Sequence, residues 1–310
     1  MEDVKLLGPV YETSIEIDKS YDFHHTAMTY SFGWMYDGIV HRIELCRGSI
    51  AVVSEKEGTL HLQVYSERGN NCWEESIRGV EKRLGARERL EAYWEKARQD
   101  PLVGGVAETM PGLRLRTTSI WLAFLIAVCQ QNASFRQGWG MLYRLHRLAS
   151  RRLSARGMGV YLETPQPSSL SLDLLRRAGL GYRARTVMEA IRHRVHELSC
   201  REVDRAREVR GVGNYTLSLI KLLACRDYSA LPLDRWLKRL ASEAYNVPES
   251  AVDTELHRRF GDYVGLAALH TTIAFDAEPI SRALRRLREG RNKPGLVEPS
   301  PISLWRHTPP

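Results

Sequence analysis

Between positions 14 and 66 apolar and polar residues alternate in short runs. The clearest is HRIELCRGSIAVVSEKEGTLHLQVYS. A period of two with tight turns between runs predicts two or three antiparallel strands. The spacing then lengthens, and WEESIRGVEKRLGARERLEAYWEKARQD predicts one or two amphipathic helices. The Gly- and Pro-containing stretch PLVGGVAETMPG marks the expected domain boundary. Beyond it helical spacing dominates, over 120–148, 171–178, 183–198, 201–208, 215–225, 234–245, 255–260 and 264–289. The tail NKPGLVEPSPISLWRHTPP, with its five prolines, is expected to be an ordered wrap or a loose end. The expected class is α+β. A small N-terminal antiparallel β-sheet domain with helices covers 1–108, and an all-α domain with a helix–hairpin–helix element covers 109–295. The Pro-rich tail covers 296–310.

The longest apolar run, IWLAFLIAVC, is too short to cross a bilayer and suits a buried helix, so no membrane is expected as a partner. A formal net charge of +8 favours a polyanionic partner or a merely basic surface. MEDVKLLGPVYETS has no basic-then-apolar leader. Five scattered cysteines without a C-x-x-C pair are expected to be reduced, mostly buried thiols of an intracellular protein. They give no metal-ligand cluster, no iron–sulfur cluster is expected, and the histidines lack metal spacing.

The stretch EVRGVGNYTLSLIKLLACRDYSALPLDRWLKRL concentrates the candidate chemistry. Gly211, Val212 and Gly213 form a tight turn between helices, with positive φ open to both glycines. The free N–H groups at the start of the next helix, and its dipole, complete an anion site suited to a phosphodiester. A monovalent cation, Na+ or K+, on turn carbonyls near Arg210 and Val212 would help hold the phosphate. Many helix pairs turn on glycine without any ligand. Asp234 opens the next helix and is at the least an N-cap. A carboxylate fixed and kept ionised there can also stabilise an oxocarbenium-like sugar and orient water.

Turn, helix and acid at this spacing resemble the helix–hairpin–helix DNA glycosylases, whose motif runs from L-P-G-V-G to V-D. Here Gly211, Gly213 and Asp234 match, while Val209 and Arg210 stand in place of Leu-Pro. The segments PGLRLRTTSIWLAFLIAVCQQNASF and LRRAGLGYRAR are similar to segments of the eukaryotic-type 8-oxoguanine glycosylases and, less closely, of the bacterial alkylation-repair glycosylases. YSFGW, 30–34, is similar to the end of their G-Q-S-F-R-W strand motif, and the resemblance covers roughly 17–284. It implies base excision from duplex DNA carrying a damaged or mismatched base, by a monomer that requires no cofactor.

Two departures refine this. The lysine that forms a Schiff base in lyase-competent members is Tyr215 here, and a neutral phenol cannot form an imine. Lys221, six residues on, faces another side of the helix. The implied enzyme is monofunctional: water displaces a deaminated or alkylated base, leaving an abasic site. Tyr215 as a packing residue only is the other reading. In the lesion pocket, Thr29 replaces the glycine whose carbonyl meets oxidised guanine, Ala268 the glutamine that reads the base edge, Thr272 the stacking phenylalanine and Leu219 the stacking cysteine. An 8-oxoguanine glycosylase, with or without lyase activity, and a silent DNA-binding module remain alternatives. Asn132 matches the asparagine that fills the gap left by a flipped base, with Gln131 and Phe135 as lesser candidates. Arg183 and Arg185 are expected to reach phosphates or to serve packing.

Overall fold

The computed structural model describes residues 4–155 and 157–307. One sheet contains β1 (Val4–Glu16), β2 (His41–Cys46), β3 (Ser49–Lys56), β4 (Thr59–Ser66), β5 (Arg152–Ala155) and β6 (Tyr161–Leu162). Their order is β2-β3-β4-β1-β5-β6. The alternating stretch becomes the antiparallel ribbon β2–β3–β4. In β4, Leu60, Leu62 and Val64 are buried while Gln63 between them is exposed, the expected period of two.

The sheet is neither wholly antiparallel nor wholly N-terminal. β1 pairs antiparallel with β4 but parallel with β5, and β6 continues from β5. Both extra strands come from the stretch expected to be all-helical. Four residues and two residues are too few to leave a readable period. β1 is largely exposed through its first half, so it carries no apolar alternation there either.

Helices α1 (Phe23–Met28), α2 (Trp73–Ser76), α3 (Val80–Leu84), α4 (Glu91–Ala97) and α5 (Gly104–Thr109) accompany the sheet in sequence. Then follow α6 (Ile120–Gln130), α7 (Phe135–Ala149), α8 (Leu172–Arg177) and α9 (Arg183–Arg192). The chain continues through α10 (Asn214–Cys225), α11 (Arg235–Tyr245), α12 (Val252–Phe260), α13 (Val264–Ala274) and α14 (Ile280–Arg288). The span expected as one helix over 120–148 is two. Asn132 takes a positive φ of 45°, and Ser134 restarts the chain as α7 through a capping box with Gln137. Residues 201–208 contain a 3₁₀ turn, Val203–Glu208, rather than an α-helix.

The apolar run becomes α6, buried along nearly its whole length and packed beside α10. Leu90, Tyr93, Trp94, Val103 and Val106, which precede the expected boundary, share this helical core with Phe124 and Ile220. A fully buried side chain of this size contributes about 2 kcal/mol. The described part of the tail wraps back onto the fold. Pro301 accepts a hydrogen bond from the Tyr30 amide at 2.7 Å, and the Trp305 ring meets Tyr36 edge-on.

The expectation of reduced thiols does not hold. Cys46 is bonded to Cys72 and Cys200 to Cys225. The partners are 26 and 25 residues apart, and only the fold brings them together. Cys129 is the free thiol, sealed inside α6, where burial pushes its pKa up to about 12. Among the described residues no helix is long and apolar enough to cross a membrane. Among the same residues no group of three or more His, Cys, Asp or Glu is placed to hold a metal ion.

Candidate active site

Local sequence builds the hairpin. The 3₁₀ turn ends at Glu208, and the Val212 amide closes back on the Val209 carbonyl at 3.0 Å. Gly211 sits at φ +96°, and a Cβ there would stand 2.7 Å from the Thr186 hydroxyl, so both backbone and space require glycine. Gly213 differs from expectation. Its φ of −97° is open to any residue, and a Cβ there would meet nothing within 4 Å. What Gly213 provides is bare, exposed backbone ahead of the first amides of α10.

The loop ALPLD then delivers Asp234, in extended conformation, as the N-cap of α11. One carboxylate oxygen accepts from the Leu237 amide at 2.7 Å. The side chain remains reachable by water, because it stands in the mouth of an open cleft. The walls nevertheless desolvate it, and that outweighs the amides of Leu237 and Trp236, so its pKa is raised. The capping amides do favour the ionised form, and burial opposes them.

The cleft has a volume of about 1300 Å³ and is lined from many parts of the chain, five of which carry the candidate site. Thr29 and Tyr30 follow α1, Phe135 and Trp139 come from α7, and Tyr215 and Leu219 from α10. Asp234 caps α11, while Ala268 and Thr272 lie on α13. Every residue assigned to the lesion pocket from sequence therefore lines one space together with the acid. The Tyr215 phenol is raised in pKa, first by burial and then by Asp234 and Tyr30, and it is neutral at all ordinary pH. No lysine is among the lining residues. Lys221 is turned away and pairs with Asp204 at 2.7 Å.

The expected DNA contacts separate into two kinds. Gln131 is committed inside the protein, donating to the Gly211 carbonyl at 2.9 Å and to the Thr216 hydroxyl at 2.8 Å. Arg183 is buried and donates to the Gln131 carbonyl at 3.0 Å and the Asn132 carbonyl at 3.4 Å. Both act as struts that fix the turn after α6: for Arg183 this is the packing alternative that sequence offered, while Gln131 had been a lesser candidate for the gap left by a flipped base. Asn132 itself is exposed on that turn, its amide 3.4 Å from the Tyr182 hydroxyl. Arg185 is exposed on α9.

No family model matches the sequence. A curated relative from Methanothermobacter thermautotrophicus, named a probable N-glycosylase/DNA lyase, is 29% identical over 136 residues. The match covers 40% of this chain and 43% of that protein, so the chain spans less than half the relative's length. Solved structures match over far more. The 8-oxoguanine glycosylase/lyase of Clostridium acetobutylicum has a TM-score of 0.64 at 14% identity, covering 87% of this chain and 98% of that one. The 3-methyladenine DNA-glycosylase of Archaeoglobus fulgidus has a TM-score of 0.69 at 18% identity, covering 84% and 96%. The chain has the helix–hairpin–helix glycosylase fold.

Within this glycosylase fold, the cleft is also lined by Tyr30 and Trp139, which sequence did not single out, and by Phe135, which it offered for another role. YSFGW is not a strand but a turn after α1, and Tyr30 enters it at φ +52°. The Tyr30 ring stacks on Trp139 with centroids 5.5 Å apart and planes 22° apart, and Phe135 flanks both. Trp139 and Phe135 were legible as an i, i+4 pair on one helix face, although that spacing marks core as readily as a pocket. Nothing local announces the conformation of Tyr30.

Proposed function

We propose that the chain is a monofunctional DNA glycosylase of base excision repair, acting on a deaminated or alkylated base. The observation that supports this most is the pairing of Asp234 with Tyr215 in one cleft. It joins a fixed carboxylate that has no cation partner to a phenol where the lyase chemistry needs an amine. A duplex would lie with a phosphate on the bare backbone at Gly213 and on the first amides of α10, in keeping with the net charge of +8. The Clostridium glycosylase/lyase has also been solved with double-stranded DNA containing cytosine opposite 8-oxoguanine. Arg210 and Val212 carbonyls, beside the Gly211 carbonyl that Gln131 occupies, would hold a Na+ or K+ ion at the phosphate.

In the reaction the C1′–N bond breaks and its electron pair leaves with the base. The sugar cation that remains is stabilised by the Asp234 carboxylate, which accepts the proton of the water that adds to C1′. Asn132, held out on its strut-supported turn, fills the space left in the stack. Leu219 and Ala268 form an apolar wall for the extruded base, and Thr29 stands at its edge.

The test is strand scission on labelled duplexes carrying uracil, thymine opposite guanine, hypoxanthine, an alkylated adenine or 8-oxoguanine, with and without hot alkali. Cleavage that needs alkali supports the proposal. Cleavage without alkali would reveal a lyase nucleophile and sink the monofunctional reading.

A further inference from the structure

One pair of hydroxyls in the cleft has its protons already assigned by its neighbours. The Thr272 hydroxyl lies 2.7 Å from the Leu269 carbonyl of its own helix, and a carbonyl can only accept. Thr272 therefore spends its single proton there. The Tyr30 hydroxyl lies 2.5 Å from the same Thr272 oxygen, and the one arrangement that fills both contacts has Tyr30 as the donor here. Its single proton is spent as well. The phenol oxygen of Tyr30 is left with lone pairs and no hydrogen. The ring that carries it is fixed by its stack on Trp139 and by the hydrogen bond from the Tyr30 amide to Pro301.

This oxygen belongs to the same space as the proposed chemistry. Tyr30 and Thr272 line the cleft with Tyr215 and Asp234, and ionisation of Tyr215 is opposed by both Asp234 and Tyr30, which makes the three groups neighbours. Tyr215 makes no side-chain hydrogen bond among the described residues, so its hydroxyl is free to donate or accept as a base requires. Tyr30 has no such freedom.

We propose that Tyr30, held by Thr272, presents an acceptor-only oxygen to the extruded base and makes the cleft selective for bases whose facing edge carries an N–H donor. This rests on the glycosylase reading above and narrows its substrate class. A base with only acceptors on that edge would set lone pair against lone pair in a desolvated site, which a pocket built for a donor rejects strongly. Tyr30 is thus a specificity residue, and Thr272 acts through it as a positioning residue.

The test compares the full chain with Tyr30→Phe and Thr272→Val on two duplexes. One carries hypoxanthine, which has an N1–H donor. The other carries 1,N6-ethenoadenine, which has no donor on that edge. Wild type is expected to favour hypoxanthine by about tenfold or more. Tyr30→Phe is expected to erase the preference. Thr272→Val keeps the shape of the side chain but frees the Tyr30 proton, and is expected to shift preference toward ethenoadenine. A preference that both variants leave unchanged, or a wild-type preference for ethenoadenine, overturns the proposal while leaving the glycosylase reading intact. If no duplex loses a base, the glycosylase reading fails, and saturation-transfer NMR with the two free bases decides the inference by itself. Hypoxanthine signal lost in Tyr30→Phe, with ethenoadenine signal gained in Thr272→Val, upholds it, and any other pattern overturns it.

Discussion

Asp234 and Asp276 both border the cleft, and both have a pKa raised by burial, yet their surroundings divide them. Asp276 is sealed in. One oxygen meets Arg286 at 2.9 Å and the Leu296 amide at 3.0 Å, and the other takes the Gly295 amide at 2.8 Å. Arg286 also binds Glu278 at 2.9 Å and the carbonyls of Ala274 and Lys293. The result is a closed knot that ties the tail to the end of α13. Asp234 caps α11 through the Leu237 amide and, among the described residues, has no ion pair. Desolvation is therefore common to both acids; what separates them is that Asp276 has a cation partner and Asp234 lines the cleft without one.

The comparison predicts opposite outcomes for the two acids. Asp234→Asn is expected to lower alkali-dependent scission by about 10³-fold. Its melting temperature should not fall, because asparagine caps a helix as well as aspartate. A variant that keeps activity, or that loses it only by unfolding, would erase the distinction. Arg286→Ala is expected to cost about 3 kcal/mol in urea unfolding, since it leaves Asp276 and Glu278 as unpaired buried neighbours. A normal unfolding curve would show that the knot carries little stability.

The pH dependence separates the two further. Because the folded pKa of Asp234 lies above the ordinary 3.8, acid neutralises it earlier than a free aspartate. Activity should fall about tenfold per pH unit below that raised value, and the residual rate of Asp234→Asn should not share this limb. The stability sign is the reverse. A carboxyl with a raised folded pKa favours the fold fully below its unfolded pKa, and that contribution is lost as pH rises toward the folded value. Asp234→Asn should therefore be at least as stable as wild type at neutral pH. The smallest expected effect is that of Asp276→Asn, which keeps an acceptor for Gly295 but unbalances Arg286. It should cost about 1.5 kcal/mol with activity unchanged at temperatures where the protein is folded.

How much of this was legible depended on how local each signal was. The hairpin and Asp234 are fixed by a few adjacent residues, so glycine, valine and a capping acid disclose them in sequence. Strands β2–β4 and helix α6 were likewise readable, because each repeats its period several times. Sequence left Arg183 between phosphate contact and packing and made Gln131 a lesser candidate for the flipped-base gap, because a polar side chain has no period; only the assembled fold shows them donating to the Gln131 and Gly211 carbonyls. Strands β5 and β6 were lost to their brevity, and the two cysteine bridges to distances that only folding sets. The acceptor oxygen of Tyr30 depends on a backbone angle and on a partner 242 positions away, beyond any local reading.

The hold of Pro301 on the Tyr30 amide sets an order of events during synthesis. Tyr30 leaves the ribosome long before Pro301. The hairpin, Asp234 and α13 can all be in place while the wall opposite them is still unfastened. A nascent chain would carry Asp234 before it carries a finished cleft, and the wall at Tyr30 is fastened only once Pro301 has emerged.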